Sequence, residues 1–402
     1  MRTIRSGFIA FFVLAVCAFG IWYLRRTPQE TQVIQNSLNG ISSCFKENTD
    51  KVLCTQPYVA SLLKIKNSSE VMDILSQRFN PTLCHLVGHV VGQQTYLKYQ
   101  NVDAAMRACN RQCSDACTHG IVGEAFAQQL GNPDPNVDLE HLSVDAIEKV
   151  GGALCQSPNT CHGVGHVLFQ EFKQFKPALS LCDTIATSTK SYCYGGVYME
   201  YSDIISETSM RAVSGVAYPE PGDLQTLCSS QDTVGERRAC FFYFPNIVIT
   251  TLMKQGTTFA DASQRLQDIC ASYAQGSDSR GSCFTGIGLY YSYLLTSDPQ
   301  RARQACEFPN LADQAACNIG VISIDIDANL HPAYSYCSSL ATDPLRSSCY
   351  QSAFNLLSNS DTWHQDQTIP EKFCGTDESC VAQAKNYALD PWKEIAQTFS
   401  AH

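Results

Sequence analysis

Five of the nine histidines fall in three short segments that share a leading cysteine: Cys84-His85-Leu86-Val87-Gly88-His89, Cys117-Thr118-His119-Gly120 and Cys161-His162-Gly163-Val164-Gly165-His166. Residues four apart on a helix lie on one face about a turn from each other, so His85 with His89, and His162 with His166, have the spacing of paired metal ligands. Both pairs hold the same place after their cysteine. Stacking the segments side by side would therefore gather His85, His89, His119, His162 and His166 into one multi-imidazole site. Imidazole serves zinc, copper and iron alike, so the cofactor expected is a transition metal whose identity the donor type alone does not select.

Acids and phenols sit at matching places nearby. Glu124 and Glu200 each follow their cysteine by seven residues, two helical turns, and Glu171 trails His166 by five. Beside a metal with an open coordination position, Glu124 or Glu200 could act as a general base, and Tyr194 or Tyr198 could stabilise an anion or carry redox chemistry. The competing reading is packing. Tyr194 and Tyr198 occupy after Cys193 the places held by the histidine pairs, and Phe284 and Tyr350 do so after later cysteines. On that alternative the histidines are structural, and the chain is a non-enzymatic helical-repeat scaffold for a polypeptide or glycan.

Several familiar chemistries are excluded. Leu86, Val87 and Gly88 separate the first histidine pair, so there is no HisGluXaaXaaHis metalloprotease helix. CysXaaXaaCysHis, a phosphate-binding glycine loop and a GlyXaaSerXaaGly elbow are also missing from the sequence. A formal charge of -10 without a block of Lys or Arg excludes a nucleic-acid footprint, which needs clustered positive charge.

The elements that must position these side chains are repeats. A cysteine followed by an apolar, mostly glycine-bearing segment recurs at Cys84, Cys117, Cys161, Cys193, Cys240, Cys283, Cys317 and Cys349. The intervals suit two helices and two loops per unit. Most leading cysteines have a partner shortly upstream: Cys155 before Cys161, Cys182 before Cys193, Cys228 before Cys240, Cys270 before Cys283, Cys306 before Cys317 and Cys337 before Cys349. A disulfide between each such pair would staple the end of one helix to the start of the next, stabilising by roughly 3 kcal/mol for loops of this size in the chain-entropy model. Cys44 with Cys54, and Cys374 with Cys380, would close the ends. Cys84, Cys109, Cys113 and Cys117 admit three pairings or, as a rival, a four-thiolate zinc site. Glycine in a helix costs up to about 1 kcal/mol relative to alanine, and close approach of neighbouring helix backbones is what would offset that cost. The hairpin period is similar to that of tetratricopeptide-type solenoids, but the Trp, Leu, Gly, Tyr and Ala positions of that repeat are not matched, so the similarity covers architecture only.

The fold class expected is all-α: disulfide-stapled helical hairpins, as a solenoid or toroid-like stack, after one N-terminal transmembrane helix. The uncharged stretch Gly7 to Leu24 is about long enough to cross a bilayer and continues past any cleavage site suited to a signal peptide. Flanking Arg2 and Arg5 against Arg25 and Arg26 leave its orientation open. Of 21 cysteines only Cys17 lies in this stretch, and the even number left implies an oxidising compartment, so the body is expected outside the cytoplasm. The division expected is a membrane anchor at 1–27, a helical cap at 28–80, His-bearing repeats at 81–205, a turn-rich connection at 206–223, and aromatic-bearing repeats with a C-terminal cap at 224–402. Partners expected are the lipid bilayer and a protein or glycan. No motif specifies an oligomeric state.

Overall fold

A computed structural model describes residues 29–46, 51–110, 112–131, 143–185, 189–206, 215–323, 326, 329–358 and 368–389. The described residues are helical with no strand. The expected transmembrane stretch Gly7 to Leu24 lies outside them, and among the described residues no helix is long and apolar enough to cross a membrane.

The helices are α1 (29–44), α2 (Lys51–Leu63), α3 (Ser68–Arg78), α4 (Pro81–Tyr99), α5 (Val102–Ala108), α6 (Gln112–Gln129) and α7 (Val144–Leu154). Next come α8 (Pro158–Phe172), α9 (Phe175–Ile185), α10 (Lys190–Ile205), α11 (Val234–Lys254), α12 (Phe259–Ser272), α13 (Asp278–Tyr290) and α14 (Leu294–Ser297). The remainder are α15 (Pro299–Ala305), α16 (Leu311–Ile322), α17 (Leu330–Ser338), α18 (Asp343–Ser358), α19 (Ile369–Cys374) and α20 (Glu378–Leu389).

Local chemistry sets the starts of the site-bearing helices. Asn80 caps α4 by accepting from the Leu83 amide, with Pro81 in the first turn. Ser157 and Thr160 form a reciprocal cap on α8, followed by Pro158. Gln100 and Lys173 end α4 and α8 in the left-handed region, where their amides bond back to Tyr96 and Phe169.

The eight cysteine-led helices α4, α6, α8, α10, α11, α13, α16 and α18 form a row in which each packs on the next, while the intervening helices cover it. One continuous apolar core runs through this row from Leu38 to Ala384. The expected staples are present: Cys44–Cys54, Cys155–Cys161, Cys182–Cys193, Cys228–Cys240, Cys270–Cys283, Cys306–Cys317, Cys337–Cys349 and Cys374–Cys380. The four cysteines left open by spacing pair as Cys84–Cys113 and Cys109–Cys117. Their sulfurs are thus joined to each other, which removes the rival four-thiolate zinc site.

Glycine explains how closely the row is packed. A Cβ on Gly92 would strike the carbonyl of Cys117 and the amide of Ile121, and one on Gly120 would strike the carbonyl of His89. The next pair repeats this: Gly165 meets the carbonyl of Cys193, and Gly196 that of His162. Gly288 and Gly320 do the same between α13 and α16. At each crossing a Cα hydrogen takes the place of a side chain and faces a carbonyl, a weak but recurring attraction between helices. The helix-propensity cost of these glycines is the condition for bringing the neighbouring imidazoles within reach of one another.

Candidate metal centre

α4 carries His85 and His89, α6 carries His119, and α8 carries His162 and His166. Because α6 packs on both α4 and α8, His119 stands between the two pairs. All five rings converge. Centroids are 4.6 Å apart for His85 and His89, 5.4 Å for His85 and His119, 4.8 Å for His119 and His162, 5.0 Å for His162 and His166, and 5.7 Å for His89 and His166. Donor nitrogens gather as two triads, His85–His89–His119 and His119–His162–His166, each with its atoms within 4.8 Å of one another.

Hydrogen bonds from outside the cluster orient the rings. The Nδ1 of His85 lies 2.8 Å from the carbonyl of Cys113, and that of His166 lies 2.8 Å from Oε2 of Glu200. A carbonyl or carboxylate oxygen only accepts, so in both rings Nδ1 carries the proton and Nε2 keeps the lone pair. This is the tautomer that a metal-binding histidine needs, imposed by the kind of partner that usually imposes it. His166 Nε2 is buried and has no protein partner. The Nε2 atoms of His85 and His89 are 3.1 Å apart, and two nitrogens bound to one tetrahedral ion at 2.0–2.1 Å stand roughly 3.3 Å apart. His162 is held by the backbone at Tyr192, and its Nε2 lies 3.4 Å from the Met199 sulfur.

The electrostatics favour the neutral form of His85, His119 and His162. Burial pushes His85 down to about 4, with its neighbour His166 adding to the effect. Burial, reinforced by the surrounding imidazoles, also holds His119 and His162 well below the ordinary histidine value. Neutral imidazole is the ligating form.

A small cleft opens beside the rings and is lined by His89, His119, His166, Gln93, Gln170, Glu200 and Asp203, among others. Gln93 and Gln170 hold the same place in their repeats, nine residues after Cys84 and Cys161. Sequence reasoning passed over them, although the repeat register marks both.

The four side chains considered as catalytic partners are placed differently. Glu200 is at the site, buried and bonded to His166. Glu124 is buried further along α6, where it accepts from Gln128 at 2.9 Å and faces Tyr96, and it is not among the residues that line the cleft. Tyr194 and Tyr198 are turned away from the imidazoles. Tyr194 donates to Asp183 and packs against Gly235, while Tyr198 packs on Phe175 at a centroid distance of 4.9 Å. Burial pushes both phenols far up, so they stay protonated. The physical reason is that α8 and α10 cross face to face at Gly165 and Gly196, so equivalent positions on the two helices point in opposite directions.

Compared with protein-family models, curated proteins and solved structures, the chain matches none.

Proposed function

We propose that this chain is an extracytoplasmic metal-binding protein, tethered to a membrane by Gly7 to Leu24, whose His-bearing repeats hold a late first-row transition metal. The observation that carries the proposal is the convergence of five imidazoles from three consecutive cysteine-led helices, with Nε2 of His85 and His166 turned into the cluster by hydrogen bonds on the opposite ring nitrogen. An all-imidazole donor set in a compartment where the thiols are oxidised favours zinc or copper over iron. Three protein ligands per ion, with a cleft alongside, is the coordination of a reactive centre and not of a closed structural one. On such a centre, the ion supplies Lewis acidity or, for copper, one-electron redox chemistry. Glu200 then acts through His166, as the residue that orients a ligand.

Support for the compartment comes from the ten disulfides among the described residues. The tether rests on the apolar sequence alone, and retention in the membrane fraction after an alkaline wash, lost on deleting residues 1–27, tests it.

Elemental analysis of protein purified without a histidine tag tests the centre. Stoichiometric zinc or copper that survives dialysis, and at least a tenfold loss of affinity in His89→Ala or His166→Ala, is the expected outcome. No bound transition metal, with both variants changing only stability, overturns it and leaves the scaffold reading.

A further inference from the structure

Resting on the metal-binding reading, we infer that the cluster holds two metal ions, one in each triad, with the ring of His119 bridging them. Four observations lead there.

The first is duplication. α4 and α6 cross at Gly92 and Gly120 as α8 and α10 cross at Gly165 and Gly196, one helical turn further from the leading cysteine in α4 than in α8, so the unit that repeats in the site is a crossed pair of helices. Each pair supplies a CysHis…His helix. The second observation is the grouping of donors. Atoms within 4.8 Å of one another form two triads that share only His119, and not one group of five. Ligands of a single ion stand at most about 4.2 Å apart, twice the usual bond length, and the five donors together fail even the wider 4.8 Å limit that each triad meets, so each histidine pair addresses an ion of its own.

The third concerns the missing sixth ligand. At the place of His119 in the second helix pair stands Gly195, so that pair has no third histidine except His119. The fourth is the state of His119 itself. His85 and His166 each commit Nδ1 to a protein oxygen and so have one nitrogen to give. His119 is only 7% exposed, and its Nδ1 is buried with no protein partner among the described residues. A buried imidazole nitrogen without a protein partner forfeits roughly 1–3 kcal/mol unless something else binds there. An ion on Nδ1 satisfies it, and Nε2 is left to meet the ion of the other triad, since His119 belongs to both.

The proton balance is simple. Neutral His119 carries one N–H; the first ion takes the lone pair, and binding of the second displaces that proton to solvent, leaving an imidazolate between two divalent ions. His85 with His89, and His162 with His166, complete the two sets as neutral ligands.

Copper(II) is the probe that reads number and bridge together. Chelator-stripped full-length protein is titrated with Cu²⁺ and passed over chelating resin, and bound copper is compared with the integrated electron paramagnetic resonance signal. The inference expects two coppers per chain, with a signal that accounts for all the copper at low loading and falls well below it as the second ion binds, because an imidazolate couples the two spins. In His119→Ala any copper retained gives a full signal. One copper per chain overturns the two-ion inference and leaves the metal-binding reading intact. Two coppers with a full signal in the unaltered protein overturn the bridge. No tightly bound copper or zinc overturns the metal-binding reading as well. The unaltered protein alone decides between these outcomes, so the inference stays testable even if the variant does not fold.

Discussion

Replacing Gly196 by alanine separates the two effects that a helical glycine has. Alanine is the better helix former by up to about 1 kcal/mol, so on propensity alone the substitution stabilises. At Gly196, however, the added methyl meets the carbonyl of His162, the amide of His166 and the Cα of Gly165, all of them backbone. No rotamer change relieves that contact, and α8 and α10 must move apart. Overpacking of this kind costs typically 1–3 kcal/mol and occasionally more. Set against the propensity gain, a net loss of about 1–2 kcal/mol is expected. Gly152 in α7 and Gly281 in α13 provide the comparison, because a Cβ at either has nothing within 4 Å. Alanine there should stabilise by up to about 1 kcal/mol. Thermal unfolding with disulfides intact reads the difference, a drop of a few degrees for Gly196→Ala and a small rise for Gly152→Ala and Gly281→Ala. The same separation shifts His162 and His166 away from α10, so Gly196→Ala should also bind metal more weakly, whereas the two comparison variants should not. If all three variants move the midpoint in the same direction, close backbone approach is not what fixes glycine at the crossings, and the account of how the rings are positioned fails with it.

Three further outcomes follow from the structure. Glu200→Gln weakens the acceptor that holds the Nδ1–H of His166, so zinc or copper affinity should fall about 10–100-fold with little change in fold, measured by competition with a chelator of known affinity; an unchanged affinity argues against an orienting role. His85 is held near 4 when folded against about 6.5 when unfolded, so below pH 6.5 the unfolded chain takes up the proton first. Metal-free protein should therefore keep full stability above pH 6.5 and lose about 3 kcal/mol from His85 alone as pH falls toward 4, with His119 and His162 adding in the same direction, and a urea midpoint that does not move between pH 7 and 5 would contradict this. Replacing Cys337 and Cys349 together by serine opens a staple with a sequence separation of 12 and should cost roughly 3 kcal/mol, read as a lower thermal midpoint; an unaltered midpoint would mean that the packing of α17 on α18 carries the hairpin unaided.

How far the fold was legible depended on sequence distance. Eight disulfides could be paired from spacing because each closes a short loop between adjacent helices, so the nearest cysteine is also the nearest in space. Cys84, Cys109, Cys113 and Cys117 could not be paired, because Cys84–Cys113 joins two helices of the inner row, and that neighbourhood is set by the crossing of Gly92 with Gly120, which no local spacing reveals. The meeting of the five imidazoles was readable from register, since equivalent positions of stacked units become neighbours. Register also misled: Tyr194 and Tyr198 hold the histidine positions after Cys193 yet face Asp183, Gly235 and Phe175, because the unit that repeats around the site is a pair of crossed helices and not a single one. Backbone partners such as the Cys113 carbonyl carry no side-chain signature and so leave no trace in the sequence.

Crystals of metal-loaded protein, measured at the absorption edge of the bound ion, test the central claim most directly. Anomalous peaks should fall within bonding distance of the donor nitrogens of His85, His89 and His119, and of His119, His162 and His166. Strong peaks found only at other histidines or surface carboxylates, with the five rings packed against each other and no density between them, would contradict it.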